Sequence, residues 1–211
     1  EGMLKSLPDP QAARLELNSV QATLQTMYGN FSEAIQLLSS GIHEARQRGD
    51  LQILLGYIDS FVETNFLLDK VQGITDWGEV EAALESAQEI SMRGMGEKTW
   101  IFTQYSILRT RQRKFQEARR WLQEARVSAV AKPSGLRDIL YRQAEAELAM
   151  AVERWEDALN CFTALSAEKS RLSYFYSAWM LVLWADTLMS RGEPADLEQA
   201  QGFLLEARAI F

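Results

Sequence analysis

The chain has 211 residues, 47% of them hydrophobic and 24% charged, with a net charge of −7. This composition is typical of a globular protein and argues against disorder, and the acidic balance disfavours general nucleic-acid binding because it repels phosphate. The one cysteine excludes an intrachain disulfide and favours a reducing compartment, so we expect a cytoplasmic protein without a signal peptide or a membrane span.

Amphipathic helices are predicted in pairs along the chain, a first helix (A) and a second helix (B) joined by a short turn. The predicted A helices are roughly Gln11–Met27, Leu51–Val71, Thr99–Gln112, Leu136–Val152 and Arg171–Arg191. The B helices are centred on the segments 29–41, 78–90, 113–125, 153–165 and 195–207. The resulting repeats cover roughly residues 11–48, 50–93, 97–131, 135–168 and 170–211 of a single repeat domain.

Each B helix has a small anchor residue near its start: Ala34, Ala83, Ala118, Ala158 and Ala200. The residues three positions before the anchors are, in repeat order, Phe31, Val80, Phe115, Trp155 and Leu197. The residues four positions after the anchors are Leu38, Ala87, Leu122, Phe162 and Leu204. Offsets of three and four place these residues on one helical face, which we predict to be buried. A small anchor lets a neighbouring helix approach closely.

The first of these turns carries Gly29 and Asn30, which are typical of a break between helices. Asn30 and Glu33 have the spacing of a capping box, in which each side chain would bond a free backbone N–H at the start of the B helix.

The runs G-N-F-S-E-A-I (29–35) and R-W-E-D-A-L (154–159) resemble the second-helix signature of tetratricopeptide repeats (TPRs), and the resemblance extends over essentially the whole chain. It implies an all-α, right-handed α-solenoid of about five antiparallel helix pairs, a TPR-like superhelix whose A helices line a concave groove. The anchor alanines are 49, 35, 40 and 42 residues apart, against the usual 34. Such long, uneven repeats are similar to the arrays of MalT-like bacterial signalling ATPases and transcriptional regulators.

The chain ends directly after the fifth B helix without a polar helix to cover its apolar face, although solenoids need such caps. We therefore interpret it as a fragment of a larger protein. Its exposed apolar C-terminal end is expected to self-associate or to pack on further sequence.

Residues that could support catalysis are few. His43 and Cys161 are the only histidine and cysteine, and they fall in the first and fourth repeats, which do not touch in a stack. There is no zinc-ligand spacing and no phosphate-binding glycine loop, so we predict no catalytic residue, no metal site and no cofactor. The protein is expected not to be an enzyme.

One basic cluster stands out in this acidic chain: Arg109, Arg111, Arg113, Lys114, Arg119 and Arg120, with Arg126 further on. The favoured interpretation is a solvated turn partly neutralised by Glu117 and Glu124. The alternative is a patch for an anion or an acidic partner.

A repeat stack without catalytic groups is typical of a scaffold that binds a protein or peptide partner. Candidate groove residues lie on A helices beside the main apolar stripe: Trp100, Gln104, Tyr141, Glu145 and Tyr174. The alternative function is the sensor region of a MalT-like regulator, which would bind a small-molecule effector or an inhibitory partner. Neither function involves direct nucleic-acid binding or a membrane.

Overall fold

The computed structural model describes residues 9–73, 76–95, 97–131, 135–167 and 174–210. Within these ranges the chain forms ten α-helices and no β-strand. The all-α prediction of five helix pairs is confirmed. The predicted start of the fifth A helix, at Arg171, lies outside the described residues.

The chain divides into two compact units, residues 1–97 and residues 98–211. The first contains α1 (Pro10–Met27), α2 (Phe31–Arg48), α3 (Leu51–Gln72) and α4 (Trp77–Met92). Helix α1 packs on both α2 and α3, α2 packs on α3, and α4 packs on α3. The A helices α1 and α3 therefore lie next to each other, as expected for stacked pairs.

The second unit contains α5 (Lys98–Arg111), α6 (Phe115–Ala131), α7 (Gly135–Ala151), α8 (Trp155–Ala167), α9 (Tyr174–Arg191) and α10 (Asp196–Ile210). Each A helix packs on the B helix that follows it. Helix α7 also packs on α5 and α6 of the preceding pair, and α9 packs on α8.

Three of the four helices of the first unit have an aspartate at the N-cap position, directly before the first helical residue. Carboxylate oxygens of Asp9, Asp50 and Asp76 accept hydrogen bonds from backbone N–H groups in the first turns of α1, α3 and α4. Asn30 precedes α2 but makes no side-chain capping bond. Its amide donates to Gln25 Oε1 at 2.7 Å across the turn instead, so the predicted capping box is wrong.

The turns inside the helix pairs share one backbone feature. Gly29, Arg113 and Glu153, each two residues before a B helix, have φ angles of 78°, 58° and 60°. In each turn the N–H of the following residue donates to a carbonyl in the last turn of the A helix. This left-handed closure is common at helix ends and usually falls on glycine, so Arg113 and Glu153 are unusual there.

The predicted inner face of the B helices is largely buried in the first four repeats, although Phe115 and Trp155 are only half-buried. All five anchor alanines are buried, and so are Leu38, Ala87, Leu122 and Phe162. The fifth repeat is different, because Leu197 is 65% exposed and Leu204 is 38% exposed. Helix α10 packs mainly on α9, and the side that it presents there carries Ala200, Phe203 and Ala207. The assignment of Leu197 and Leu204 to the buried face was therefore wrong.

Helices α2 and α3 of the first unit pack closely at Gly41 and Tyr57. A Cβ atom on Gly41 of α2 would overlap the ring of Tyr57 of α3. Tyr57 is fully buried, and its hydroxyl donates to the carbonyl of Leu15 in α1. One side chain thus joins three helices, and burial raises its pKa to about 12.

Arg191, at the end of α9, connects three helices of the second unit. It donates two hydrogen bonds to the buried carboxylate of Asp196 at the start of α10, at 2.9 and 2.7 Å. It also donates to Glu156 of α8 at 2.5 Å. The Arg191 guanidinium lowers the pKa of Asp196, as does the N–H of Glu193, which donates to the same carboxylate.

Replacing Gly41 tests the crossing. We expect Gly41→Ala to lower the free energy of unfolding by about 1–3 kcal/mol, because the added methyl group must displace the Tyr57 ring. Gly56→Ala in α3 is the matched control, since open space surrounds that position. It should raise stability by about 0.5–1 kcal/mol through helix propensity. Urea titrations measure both, and equal effects would contradict the assigned crossing.

The Arg191–Asp196 pair predicts a pH dependence. Because folding lowers the pKa of Asp196, the pair stabilises the fold above about pH 4, the range of the unfolded carboxyl, and this stability is lost as the pH falls further. Asp196→Asn should lower the melting temperature at pH 7 and should flatten its decline between about pH 5 and pH 3. Glu198→Gln, at an exposed position in the same turn, is the control. An unchanged acid decline in Asp196→Asn would contradict the assignment.

Candidate partner-binding surfaces

Trp100 and Gln104 lie four residues apart on one face of α5. Trp100 is half-buried, whereas Gln104 is only 4% exposed, which corrects the expectation of an exposed groove position. The reason is that α6 and α7 both pack on α5 and cover most of its circumference. The indole N–H of Trp100 and the Oε1 of Gln104 are buried, and neither has a hydrogen-bond partner among the described residues. Gln104 cannot reach a partner in this arrangement.

Tyr141 and Glu145 are brought together on α7. The Tyr141 hydroxyl donates to Glu145 Oε1 at 3.1 Å, and the thiol of Cys161 on α8 donates to Glu145 Oε2 at 3.5 Å. Glu145 therefore links α7 to α8, and its side chain is half-exposed. Tyr174 is the first residue of α9, and its side chain lies outside the described part of the structure.

Both donors to Glu145 stay protonated at neutral pH. Burial, together with the negative charge of Glu145, raises the pKa of Tyr141 to about 12 and that of Cys161 to about 12. A thiol with such a pKa is a poor nucleophile. The hydrogen bond between Cys161 and Glu145 could not be predicted from the sequence, because no sequence spacing links positions 145 and 161.

The other buried charges are also paired within the fold. Arg111 of α5 donates to Glu147 of α7 at 2.8 Å, and both side chains are nearly buried.

His43 lies exposed on α2 within hydrogen-bond distance of Gln47. Across the described ranges, no group of three or more His, Cys, Asp or Glu side chains is placed to hold a metal ion.

The basic cluster divides into a paired part and an unpaired part. Arg109 is buried and contacts Glu117 at 3.1 Å. Arg111 is paired with Glu147 as described above. The remaining basic side chains lie exposed on α6 and in the turn before it, and none forms an ion pair with a described residue: Arg113, Lys114, Arg119, Arg120 and Arg126. Val127 and Val130 are exposed on the same side of α6, at 58% and 72%. We call these seven residues the basic α6 face.

Charge is distributed unevenly between the two units. Residues 1–97 contain 6 Lys and Arg against 15 Asp and Glu, a net charge of −9. Residues 98–211 contain 16 against 14, a net charge of +2. The basic α6 face thus belongs to the part of the chain that is not acidic.

A small apolar pocket lies between α7, α8 and α9, with Gln143, Phe162, Leu165, Tyr176 and Trp179 among its lining residues. Its cavity volume is about 10 Å³, which is room for about one water molecule. The pocket as it stands is too small to hold a metabolite. Among the described residues, no helix combines the length and hydropathy that a bilayer crossing requires.

Comparison with known proteins supports the fold. No family model and no curated protein matches the sequence. The chain is similar to the solved structure of a variant protein from Podosopora anserina, named for a kinesin light chain with nearly identical TPR-like repeats. The match has a TM-score of 0.52 at 18% sequence identity and covers 93% of this chain and 94% of the other. The chain is therefore a helical-repeat protein with a TPR-like α-solenoid fold.

Cys161 gives a direct test of the Glu145 cluster, because it is the only thiol in the chain. At pH 8 we expect an aromatic disulfide reagent to react with it at least about a hundredfold more slowly in the folded protein than in urea. Glu145→Gln should speed the reaction of the folded protein, because it removes a negative charge that raises the thiol pKa. Glu124→Gln on α6 is the control, and all variants should react equally in urea. An unchanged rate in Glu145→Gln would rule out the coupling.

Proposed function

We propose that this chain is a non-catalytic scaffold, acting in the cytoplasm, that binds an acidic segment of a protein partner. The observation that carries the proposal is the basic α6 face, where five exposed cations without an ion pair to a described residue share one side of the helix and its preceding turn with two exposed valines. The TPR-like fold supports it, since such folds commonly present extended surfaces to protein ligands.

The chemistry of the basic α6 face favours carboxylates. Four of its five cations are arginines, whose planar guanidinium groups can bind a carboxylate through two parallel hydrogen bonds. Val127 and Val130 add apolar area, which a partner with aliphatic side chains between its acidic residues would cover. Arginine clusters of this kind are one of the recurring ways of recognising acidic peptides.

Nucleic acid fits the same surface less well. The chain as a whole has a net charge of −7, which disfavours a long polyanion. Single strands also need aromatic side chains on which bases can stack. The aromatic residues of α6 are Phe115 and Trp121, and both are half-buried. Trp121 is already stacked on Tyr105 and on Phe102, with its ring centroid 4.6 and 5.7 Å from theirs. A short acidic protein segment meets neither obstacle.

The predicted groove remains a second candidate surface of the same scaffold. Trp100, Tyr141 and Glu145 are half-exposed and could contact a peptide. Gln104 is buried, and Tyr174 is included from the sequence pattern alone. Because Glu145 already accepts two hydrogen bonds, a peptide donor would have to compete with Tyr141 and Cys161.

The sensor region of a MalT-like regulator is the alternative function. The uneven spacing of the anchor alanines and the 22-residue helix α3 favour it. A small effector would have to stabilise one conformation over another in order to signal. The pocket beside α9 would take part only after opening, so we place this alternative second.

The test uses two short synthetic peptides, one alternating glutamate and leucine and one with glutamine in place of glutamate. We expect the acidic peptide to bind and the glutamine peptide not to bind in calorimetry at low ionic strength. The double variant Arg119→Glu/Arg126→Glu should bind the acidic peptide about tenfold or more weakly, because two attractions become repulsions. Arg14→Glu/Arg208→Glu, the same charge change at exposed positions elsewhere, is the matched control.

Three outcomes would overturn the proposal. These are no binding of the acidic peptide, equal loss of binding in the two double variants, and tighter binding of an oligonucleotide than of the peptide at the basic α6 face. Loss of binding in Tyr141→Ala, with Arg119→Glu/Arg126→Glu unaffected, would move the site to the groove.

A further inference from the structure

Helix α4 presents a row of exposed residues that is acidic along most of its length. Spacings of three, four and three residues place the row on one side of the helix: Ala82, Glu85, Glu89 and Met92. All four residues are exposed, and neither glutamate forms an ion pair with a described residue. Such spacing gives a straight seam, which is the kind of surface that packs along a second helix. We call these four residues the acidic α4 seam.

Helix α6 has a seam of the same kind and the opposite charge. Its residues are all exposed, at spacings of four, three and four: Arg119, Gln123, Arg126 and Val130. Apart from Gln123 they belong to the basic α6 face. Arg119 and Arg126 are seven residues, or about 10.5 Å, apart along the helix axis, as are Glu85 and Met92 on α4. Both seams therefore begin with charged or polar residues and end with an apolar one.

The B helices α2 and α8 do not carry seams of this kind. The exposed row of α2 contains neither a carboxylate nor a lysine or arginine: Gln36, Ser40, His43 and Gln47. The exposed row of α8 contains one carboxylate: Glu156, Asn160, Thr163 and Ala167. That carboxylate is already paired with Arg191. Among these four B helices, two unpaired like charges on one seam occur on α4 and on α6, with opposite signs.

We propose that the acidic segment bound by the basic α6 face is helix α4 of a second copy of this chain, an inference that rests on the proposed function. In a parallel alignment with Met92 beside Val130, Glu89 falls next to Arg126. Glu85 then lies between Arg119 and Arg126. An antiparallel alignment would place Met92 beside an arginine and Val130 beside a carboxylate, so the parallel one is favoured.

Both seams are available without any change in the fold. Helices α4 and α6 each have further helices before and after them in the chain, so the exposure of their seams does not depend on where the sequence begins or ends. Each ion pair between exposed side chains contributes little by itself, so the contact depends on several pairs and on the apolar ends of the seams. We therefore expect weak association that is strongest at low ionic strength.

The test is sedimentation velocity of the 211-residue chain at low ionic strength over a range of concentrations, with two charge-reversed variants. The unsubstituted chain should show species that grow with concentration. Glu85→Arg/Glu89→Arg makes both seams basic, and Arg119→Glu/Arg126→Glu makes both acidic. Each variant alone should self-associate at least about tenfold more weakly, because attraction becomes repulsion.

Mixing the two variants identifies the contact. The acidic α6 of one variant meets the basic α4 of the other, and the remaining seams are complementary as well, so an equimolar mixture should regain association. The matched controls make the same net-charge changes at exposed positions elsewhere: Glu16→Arg/Glu198→Arg and Arg14→Glu/Arg208→Glu. Both controls should associate like the unsubstituted chain, and all variants should have the same circular dichroism.

A monomeric unsubstituted chain at every concentration, a mixture that stays monomeric, or equal losses in the controls would each overturn this inference. Glu85→Arg/Glu89→Arg retains the basic α6 face, so calorimetry with the acidic peptide tests the proposed function in the same variant. Binding of that peptide, with an unsubstituted chain that does not self-associate, would overturn the self-contact alone. Absence of both would overturn the acidic-partner proposal as well.

Discussion

The close approach of helices at small residues is the constraint on which the rest of this fold depends. Gly41 leaves the space that the Tyr57 ring fills. Each B helix also has a small, buried alanine at the equivalent position near its start. Because interiors are packed as densely as organic crystals, a methyl group at such a crossing has no free volume to enter. The position of each small residue thus decides how near its neighbours can come, and which large side chains fill the gaps beside it.

Close packing also decides where a partner could bind. Helix α5 is covered by α6 and α7, so its polar residues become part of the interior, as Gln104 and the Arg111–Glu147 pair do. Helix α5 therefore uses much of its polar surface for contacts within the fold. Helix α6 keeps one side free of neighbours, and the exposed cations collect there.

The helical period of the sequence predicted the ten helices and the burial of the anchors, because both depend on residues close together in the chain. The errors have tertiary causes. Leu197 and Leu204 carry the repeat pattern but have no helix packed over them, and Asn30 bonds to Gln25 across a turn. The left-handed conformations of Arg113 and Glu153 were also missed, since glycine is the usual signal for them. The link from Glu145 to Cys161 depends on the packing of α7 on α8, which no local pattern encodes.

Two forces act together at the basic α6 face, and salt separates them. Attraction between its exposed cations and a carboxylate is electrostatic, so it weakens as the Debye length shortens to about 8 Å at physiological ionic strength. Burial of Val127 and Val130 under a partner would remove apolar area from water, and salts such as sulfate strengthen that contribution rather than screen it. A partner that combines acidic and aliphatic side chains would therefore keep part of its affinity at high salt, whereas a partner held by charge alone would lose it.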